Sequence, residues 1–239
     1  MKLVLGQMLL QVVKIMNKLL VVEDKKLNSG EFNLEFFKDV SLNIQDEVII
    51  HDINSKNKDL ALEVSDNSSL ALYQVKKINA DYSIHIKLLE NAKFTLNMLI
   101  INEGKNKVII DIEMPENGAC SSVNVRAINT KDDDNLDIVC NGYINKDTKD
   151  NELLENLKGL IVNDGDSIKI SPIMVVDTNE VIANHLVTIG SFNEEELFYL
   201  EALGLSKDMA KNILTQSFLK NNMSPIEIEF LKLGGEIHE

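Results

Sequence analysis

The sequence has little of several residues on which common binding sites and scaffolds depend. It contains no tryptophan, three prolines and two cysteines in 239 residues, and Arg126 is its only arginine. Guanidinium groups usually supply the paired hydrogen bonds to phosphates and guanine edges. A chain with a net charge of −14 also repels a phosphate backbone. We therefore expect no nucleic-acid ligand.

Cysteine usage and the first hydrophobic run bear on the compartment. Cys120 and Cys140 are too few for a disulfide framework, which favours a reducing environment. Polar residues interrupt the apolar run from Leu3 to Val22, and no small-residue cleavage site follows it. The run is therefore neither a typical signal peptide nor a membrane span. We expect a cytoplasmic protein that does not insert into a membrane. Both cysteines are predicted to be structural, and the alternative is that Cys140, which precedes Asn141-Gly142, lies at a loop as the more reactive thiol.

Motifs for nucleotide, esterase and metal chemistry are missing as well. There is no phosphate loop, no G-x-G-x-x-G and no G-x-S-x-G, and no cysteine pair has C-x-x-C spacing. The four histidines are scattered, so a self-contained zinc or iron–sulfur site has too few clustered ligands. The acidic run at 132–134, followed by Asp137, lacks the glycine and glutamate of a calcium loop and is typical of a solvated acidic loop.

With 44% apolar and 26% charged residues, the chain has the composition of a globular protein. Its first segment, residues 1–30, is predicted as an amphipathic helix, because apolar residues share one stripe at helical spacing. The stripe consists of Leu5, Leu9, Val12, Val13, Met16, Leu19 and Leu20.

From about residue 31 to residue 190 the apolar residues alternate with polar ones at period two, which is typical of half-buried strands. Turn-forming stretches separate these runs. About ten strands in sequence allow a sandwich, a barrel or a solenoid, and no repeat of fixed length is visible. The runs are Ser41–Ile53, Asp59–Val64, Leu70–Val75, Tyr82–Leu88, Phe94–Ile101, Lys107–Glu113, Ser121–Ile128, Leu136–Val139 and Ser167–Val176.

The last segment, residues 191–239, changes to helical periodicity. Asn193 is a predicted N-cap, three glutamates follow it in the first turn, and Gly204 is a predicted C-cap. Ser206 begins a second helix, so the pattern predicts a helical hairpin. The tail at 223–239 has signals of both a helix start and a strand.

One stretch resembles a known family. Five segments carry the resemblance and occur in this order: Pro172-Ile-Met-Val-Val, Glu180-Val-Ile-Ala-Asn-His-Leu-Val-Thr-Ile-Gly190, Glu195-Glu-Leu-Phe-Tyr-Leu200, Leu203-Gly-Leu-Ser206 and Ala210 through Phe218. Together they are similar to the C-terminal part of the SufB/SufD family, the scaffold subunits of the SUF iron–sulfur cluster assembly machinery. Weaker likenesses lie at 151–162 and at 102–128.

The resemblance implies a mainly β chain with a right-handed parallel β-helix core and a C-terminal helical domain that docks onto a SufC-like ABC ATPase. It implies a non-enzymatic scaffold, with ATP hydrolysed by the partner. It further implies pairing through the β-helix with a SufB-like subunit or with a second copy as a homodimer. No tightly bound cofactor is expected, only a transient iron–sulfur cluster. The hairpin residues assigned to ATPase docking are Phe198, Tyr199, Leu200, Leu214 and Phe218.

Within the family the chain is more similar to SufD than to SufB. SufB has a persulfide-accepting cysteine about six residues before the proline-led strand, where this sequence has Asp166, and a glutamate after the histidine, where it has Leu186. The histidine that SufD places at the interface with SufB corresponds to His185. The resemblance implies that His185 lies at the cluster-assembly interface and contributes an iron ligand or a proton relay.

Two other functions remain open from the sequence. A β-solenoid or sandwich adaptor would bind protein partners without iron–sulfur chemistry. A metal-dependent enzyme of the β-barrel type would need two or more of His51, His85 and His185 to converge with a carboxylate.

Overall fold

The computed structural model describes residues 26–34, 41–53, 58–163 and 165–220. The apolar stripe of the predicted N-terminal helix and the tail at 223–239 lie outside these residues. Within residues 1–30, the described positions 26–27 form a strand. No helix of the described residues is long and apolar enough to cross a membrane.

Fourteen strands and two helices make up the described chain. The strands are β1 (Lys26–Leu27), β2 (Gly30–Asn33), β3 (Ser41–Ile44), β4 (Glu47–Ile53), β5 (Asp59–Val64), β6 (Ser69–Ile78), β7 (Tyr82–Leu88), β8 (Lys93–Asn102), β9 (Lys105–Met114), β10 (Cys120–Asn129), β11 (Asn135–Ile144), β12 (Glu152–Ile161), β13 (Ser167–Val176) and β14 (Ile182–Ser191). The helices are α1 (Glu194–Ala202) and α2 (Lys207–Lys220).

The strands form two parallel sheets of seven strands each. Odd-numbered strands from β1 to β13 make sheet A, and even-numbered strands from β2 to β14 make sheet B. Because consecutive strands lie in opposite sheets and each strand pairs in parallel with the strand two places later, the chain winds as a β-helix. The solenoid alternative is confirmed, and the sandwich and barrel alternatives are wrong.

One corner of the β-helix repeats with a left-handed backbone residue on five successive coils. The residues are Asp46, Asn67, Asn91, Gly118 and Asp150, with φ between 54° and 71°. Each of the middle three donates its backbone N–H to a carbonyl on the next coil: Asn67 to Glu90, Asn91 to Asn117, and Gly118 to Lys149. Asparagine, aspartate and glycine tolerate this conformation best. The corner therefore stacks coil upon coil.

Inward-facing side chains form columns that run along the β-helix and make up its core. In sheet B, for example, Ile50, Leu72, Leu96 and Val123 are paired neighbours on β4, β6, β8 and β10, and all four are buried. The early coils also enclose an ion pair, in which Lys76 Nζ lies 2.7 Å from Asp52 Oδ2. Burial lowers the pKa of Lys76, against the opposing effect of Asp52.

A second apolar cluster attaches α2 to the outer face of sheet B. Its buried members are Val75, Leu99, Ile101, Ile128, Leu160 and Leu219. Phe192 and Phe218 pack against it. The helical hairpin is therefore joined to the β-helix by its own hydrophobic contacts.

Candidate functional site

The β-helix ends in two exposed strands. β13 and β14 are the last strands of sheets A and B, and no described strand pairs with their outer edges. Ile173 and Val175 on β13 and Leu186 on β14 are 46%, 42% and 56% exposed. An unpaired edge with exposed apolar side chains is a ready site for pairing with another chain. We call the surface formed by β13 and β14 the open end.

His185 lies on β14 at the open end. It pairs in register with Glu155 on β12, which pairs in turn with Val123 on β10. His185 therefore continues the inward-facing column of sheet B, because residues paired in register point to the same side of a sheet. No further coil covers it among the described residues, so its side chain is exposed. The imidazole is thus available to an incoming group.

Glu155 occupies an apolar position in the coil below His185. The residue is 3% exposed, and neither carboxylate oxygen has a hydrogen-bond partner among the described residues. Burial raises the pKa of Glu155 to about 7, partly offset by the neighbouring thiol of Cys140. The sequence analysis assigns Glu155 no role, although Leu153, Glu155 and Leu157 share one face of the strand at period two.

Cys140 does not lie at a loop. It lies in the middle of β11 and is fully buried, so the alternative of a more reactive thiol at a loop is wrong. Burial raises the pKa of Cys140 well above its ordinary value, and the carboxyls of Glu155 and Asp111 raise it further. The Asn141-Gly142 pair, normally a turn signal, is in the strand and pairs with β9 and β13. Position 142 is a glycine because a side chain there would overlap Leu153.

The helical hairpin begins and ends where the sequence predicts. The Asn193 side chain accepts the backbone N–H of Glu195 at 2.8 Å, and Glu194, Glu195 and Glu196 fill the first turn of α1. The C-cap is Leu203, one residue before the predicted Gly204, and Gly204 follows it with a φ of 93°. Ser206 Oγ accepts the N–H of Met209 at 3.3 Å and so caps α2. Both predicted helices are confirmed.

The hairpin exposes apolar side chains from both helices. Phe198 is 73% exposed and Tyr199 is 64% exposed. Leu203, Met209 and Ile213 are exposed as well. We call these five residues the hairpin patch. Several large apolar side chains exposed on one short hairpin are typical of an interaction site.

The other predicted docking residues face inward to different degrees. Leu200, Leu214 and Phe218 are half-buried. The Phe218 carbonyl accepts a hydrogen bond from Arg126 Nη1 at 2.8 Å, and its ring lies 5.1 Å from the guanidinium carbon. Phe218 therefore contributes to attachment of α2, and less of its surface is left for a partner.

Comparison with known families decides the relationship. Residues 63–218, about two thirds of the chain, match the family described as "SUF system FeS cluster assembly, SufBD core domain". The chain belongs to the SufBD family. The matched range extends from the end of β5 to α2, and it includes His185, Glu155 and the hairpin patch.

Two curated relatives of the SufBD family support this assignment. The chain is 29% identical over 98 residues to an iron–sulfur cluster assembly SufBD family protein of Pyrococcus horikoshii, covering 41% of this chain and 22% of the relative. It is 28% identical over 72 residues to such a protein of Mycobacterium leprae, covering 30% and 18%. The chain thus matches about a fifth of the length of these relatives.

The SufBD chain holds Asp166 at the corner that precedes β13. Burial raises the pKa of Asp166, with the nearby carboxylate of Asp134 as a smaller cause in the same direction. Asp134 itself is buried and accepts the backbone N–H groups of Gly104, Thr130 and Lys131. The acidic run is therefore not wholly solvated as predicted, because Asp134 organises the corner.

The histidines do not converge. His51 on β4 and His185 on β14 are separated by five strand steps of sheet B, about 24 Å, and His85 is on sheet A. Within the described part of the chain, no three His, Cys, Asp or Glu residues are grouped as a metal site. His85 Nδ1 instead lies 2.8 Å from Asp111 Oδ2, beside a groove of about 400 Å³ on sheet A. The convergence that a β-barrel metalloenzyme requires is absent from these residues.

Proposed function

We propose that this SufBD-family chain is a non-enzymatic scaffold subunit of a SUF-type iron–sulfur cluster assembly complex. The observation that carries the proposal is the extent of the family match. Residues 63–218 contain the open end with His185 and the helical hairpin except for the last two residues of α2. These are the two surfaces that such a scaffold needs, one for cluster assembly and one for an ATPase.

The hairpin patch is the docking surface for a SufC-like ABC ATPase. Phe198 and Tyr199 on α1 and Leu203 directly after it are all more than half exposed. Large aromatic side chains are the usual anchors at the centre of protein interfaces. The sequence carries no phosphate loop of its own, so ATP hydrolysis belongs to the partner.

The open end is the surface that pairs with a SufB-like subunit or with a second copy of this chain. β13 and β14 offer ten-residue edges with unpaired backbone groups on their outer sides among the described strands. In a symmetric pair the same surface meets itself, so two His185 residues approach each other across the two-fold axis.

His185 acts on the nascent cluster, which is the cargo of the assembly. A neutral imidazole ligates iron, and its ring transfers protons near pH 7. Asp166 and Leu186 stand where SufB has a cysteine and a glutamate, and this favours a SufD-like role in which the sulfur-accepting thiol belongs to the partner.

Anaerobic reconstitution of the complex with iron and sulfide tests the proposal. The chain is purified with its SUF partners, and bound iron and acid-labile sulfide are measured for the wild type, His185→Ala and His85→Ala. His85 is the matched control, since its side chain is 54% exposed on the outer face of sheet A. We expect at least a fivefold loss of iron in His185→Ala and wild-type iron in His85→Ala. Equal iron in all three proteins would contradict the proposal.

A further inference from the structure

One inward-facing column of the β-helix changes from aliphatic to ionisable residues at its end. Ile50, Leu72, Leu96 and Val123 are aliphatic on four successive coils of sheet B. The next two positions of the column are Glu155 and His185. Among these six described positions, the one carboxylate is therefore the paired neighbour of the exposed histidine.

A glutamate at position 155 lowers the stability of the fold. Burial of a polar group without a hydrogen bond costs about 1–3 kcal/mol by protein mutational data, and both of its carboxylate oxygens are buried without a partner in the described residues. An aliphatic residue fits the same column in the four coils before it. A costly buried carboxylate beside an exposed histidine points to a role in the site.

The carboxyl of Glu155 lies between Gly142 on sheet A and His185 on the adjacent strand. Across the interior, a Cβ placed on Gly142 would lie 3.3 Å from Glu155 Oε1, so the missing side chain at 142 is what lets the carboxyl lie there. Cys140 is close enough to influence the pKa of Glu155. On the other side, His185 is on the adjacent strand in register, about 4.8 Å away by strand spacing. A hydrogen bond to a ring nitrogen therefore requires the carboxyl to turn from Gly142 toward His185.

We infer that Glu155 is a positioning residue for His185: its carboxyl accepts a hydrogen bond from one ring nitrogen and so fixes the tautomer and direction of the imidazole at the open end. The inference rests on the proposed role of His185 in cluster assembly. Histidines that bind metals usually donate their second ring N–H to such a partner, and loss of that partner typically weakens metal binding 10- to 100-fold.

The direct test is the tautomer of His185 in the full-length chain at pH 8. Long-range ¹H–¹⁵N spectra of the ¹⁵N-labelled protein report which ring nitrogen carries the proton, and His185→Ala identifies the signals. We compare the wild type with Glu155→Leu, which removes the acceptor, and with Glu155→Gln, which keeps a weaker one. Glu152→Gln is the matched control, because Glu152 is on the same strand and faces outward.

We expect one predominant tautomer in the wild type and in Glu152→Gln. Glu155→Gln should show a partial shift and Glu155→Leu a mixture of both tautomers. Circular dichroism confirms that each variant is folded, and the isosteric Glu155→Gln keeps the test decisive if Glu155→Leu does not fold. An unchanged tautomer ratio in the folded Glu155 variants would overturn the inference.

Iron content after reconstitution separates this inference from the proposed function. We expect Glu155→Leu to lose about tenfold in bound iron, with His185→Ala at least as low. Loss in His185→Ala with full binding in Glu155→Leu would overturn the role of Glu155 and leave the scaffold proposal standing. Full binding in His185→Ala would overturn the proposed function, and the tautomer ratio would then decide the positioning role by itself.

Discussion

Arg126, the only arginine of the chain, holds α2 against the β-helix through Phe218. Its Nη1 donates to the Phe218 carbonyl at 2.8 Å, and its guanidinium carbon lies 5.1 Å from the centre of the Phe218 ring. A hydrogen bond from a charged group contributes about 1.5–3 kcal/mol, and stacking on an aromatic ring adds about 0.5–1 kcal/mol. The contact therefore fixes the end of the hairpin relative to sheet B.

We expect Arg126→Leu to loosen α2 and to lower stability by about 2 kcal/mol. Arg126→Lys should lose nearly as much stability as Arg126→Leu, because an ammonium group lacks the planar guanidinium that binds the carbonyl and stacks on the ring. Hydrogen exchange of the Leu219 amide and the free energy of unfolding measure the effect. The control is Lys158→Leu at the paired position on β12. Equal losses in Arg126→Leu and Lys158→Leu would contradict a specific role for Arg126.

The geometry of the corner predicts that replacing Gly118 destabilises the fold. Gly118 has a φ of 71°, and a Cβ added there would lie 2.2 Å from Asn91 Oδ1. Gly118→Ala should therefore lower the free energy of unfolding by about 1–3 kcal/mol through the strained backbone conformation. The overlap of the new Cβ with Asn91 should lower it further. Gly190→Ala, with no atom within 4 Å of its Cβ, is the control and should be near neutral.

A double-mutant cycle separates the two costs at this corner. Asn91→Gly removes the overlapping side chain, so Gly118→Ala should be less damaging in that background than in the wild type. Urea unfolding supplies the four free energies. Strict additivity of the two substitutions would show that the overlap with Asn91 contributes nothing.

The raised pKa of Glu155 predicts that the stability of the fold depends on pH. Its pKa is about 7 in the folded protein against an ordinary value of 4.5. Between these values the unfolded chain releases the proton while the folded chain keeps it, so stability falls as pH rises from about 4.5 to 7. Above pH 7 the full penalty is present, at most about 3 kcal/mol.

Glu155→Gln should therefore be more stable than the wild type at pH 8, and this advantage should shrink at pH 4. Urea unfolding at the two pH values measures the difference, with Glu152→Gln as the control on the same strand. The same difference between wild type and Glu155→Gln at both pH values would contradict a raised pKa.

The open end predicts that charge on β14 blocks pairing. Leu186 and Ile189 are 56% and 40% exposed, and lysine on an edge strand opposes edge-to-edge association. We expect Leu186→Lys/Ile189→Lys to lose pairing with a second copy and with a SufB-like subunit, while remaining folded. Light scattering gives the mass of the chain alone, and co-purification gives the recovery of SufB. Wild-type values in both measurements would contradict pairing through this surface.

Period-two alternation predicted most strands, because the strands of the β-helix bury one side only, except where α2 covers the outer face of sheet B. The winding could not be read as a repeat, because the left-handed residue of the corner recurs after 21, 24, 27 and 32 residues, from Asp46 through Asn67, Asn91 and Gly118 to Asp150. The strands themselves grow from four to ten residues along the chain, so successive coils differ in length.

The candidate site could be predicted only in part. The family motif identified His185, and the helix caps identified the hairpin. Glu155 was missed because a glutamate is rarely buried, and its place in an apolar column is visible only from its register with Val123. The assignment of Phe218 to docking could not anticipate Arg126, which is 92 residues earlier in the chain.

Co-purification with a SufC-like ATPase tests the scaffold account most directly. We compare the wild type with Phe198→Asp/Leu203→Asp in the hairpin patch, and with Tyr143→Asp on the outer face of sheet A, where Tyr143 is 37% exposed. The account predicts a stable complex for the wild type and for Tyr143→Asp, and its loss in the double variant. A folded wild-type chain that forms no complex with the ATPase would contradict the account.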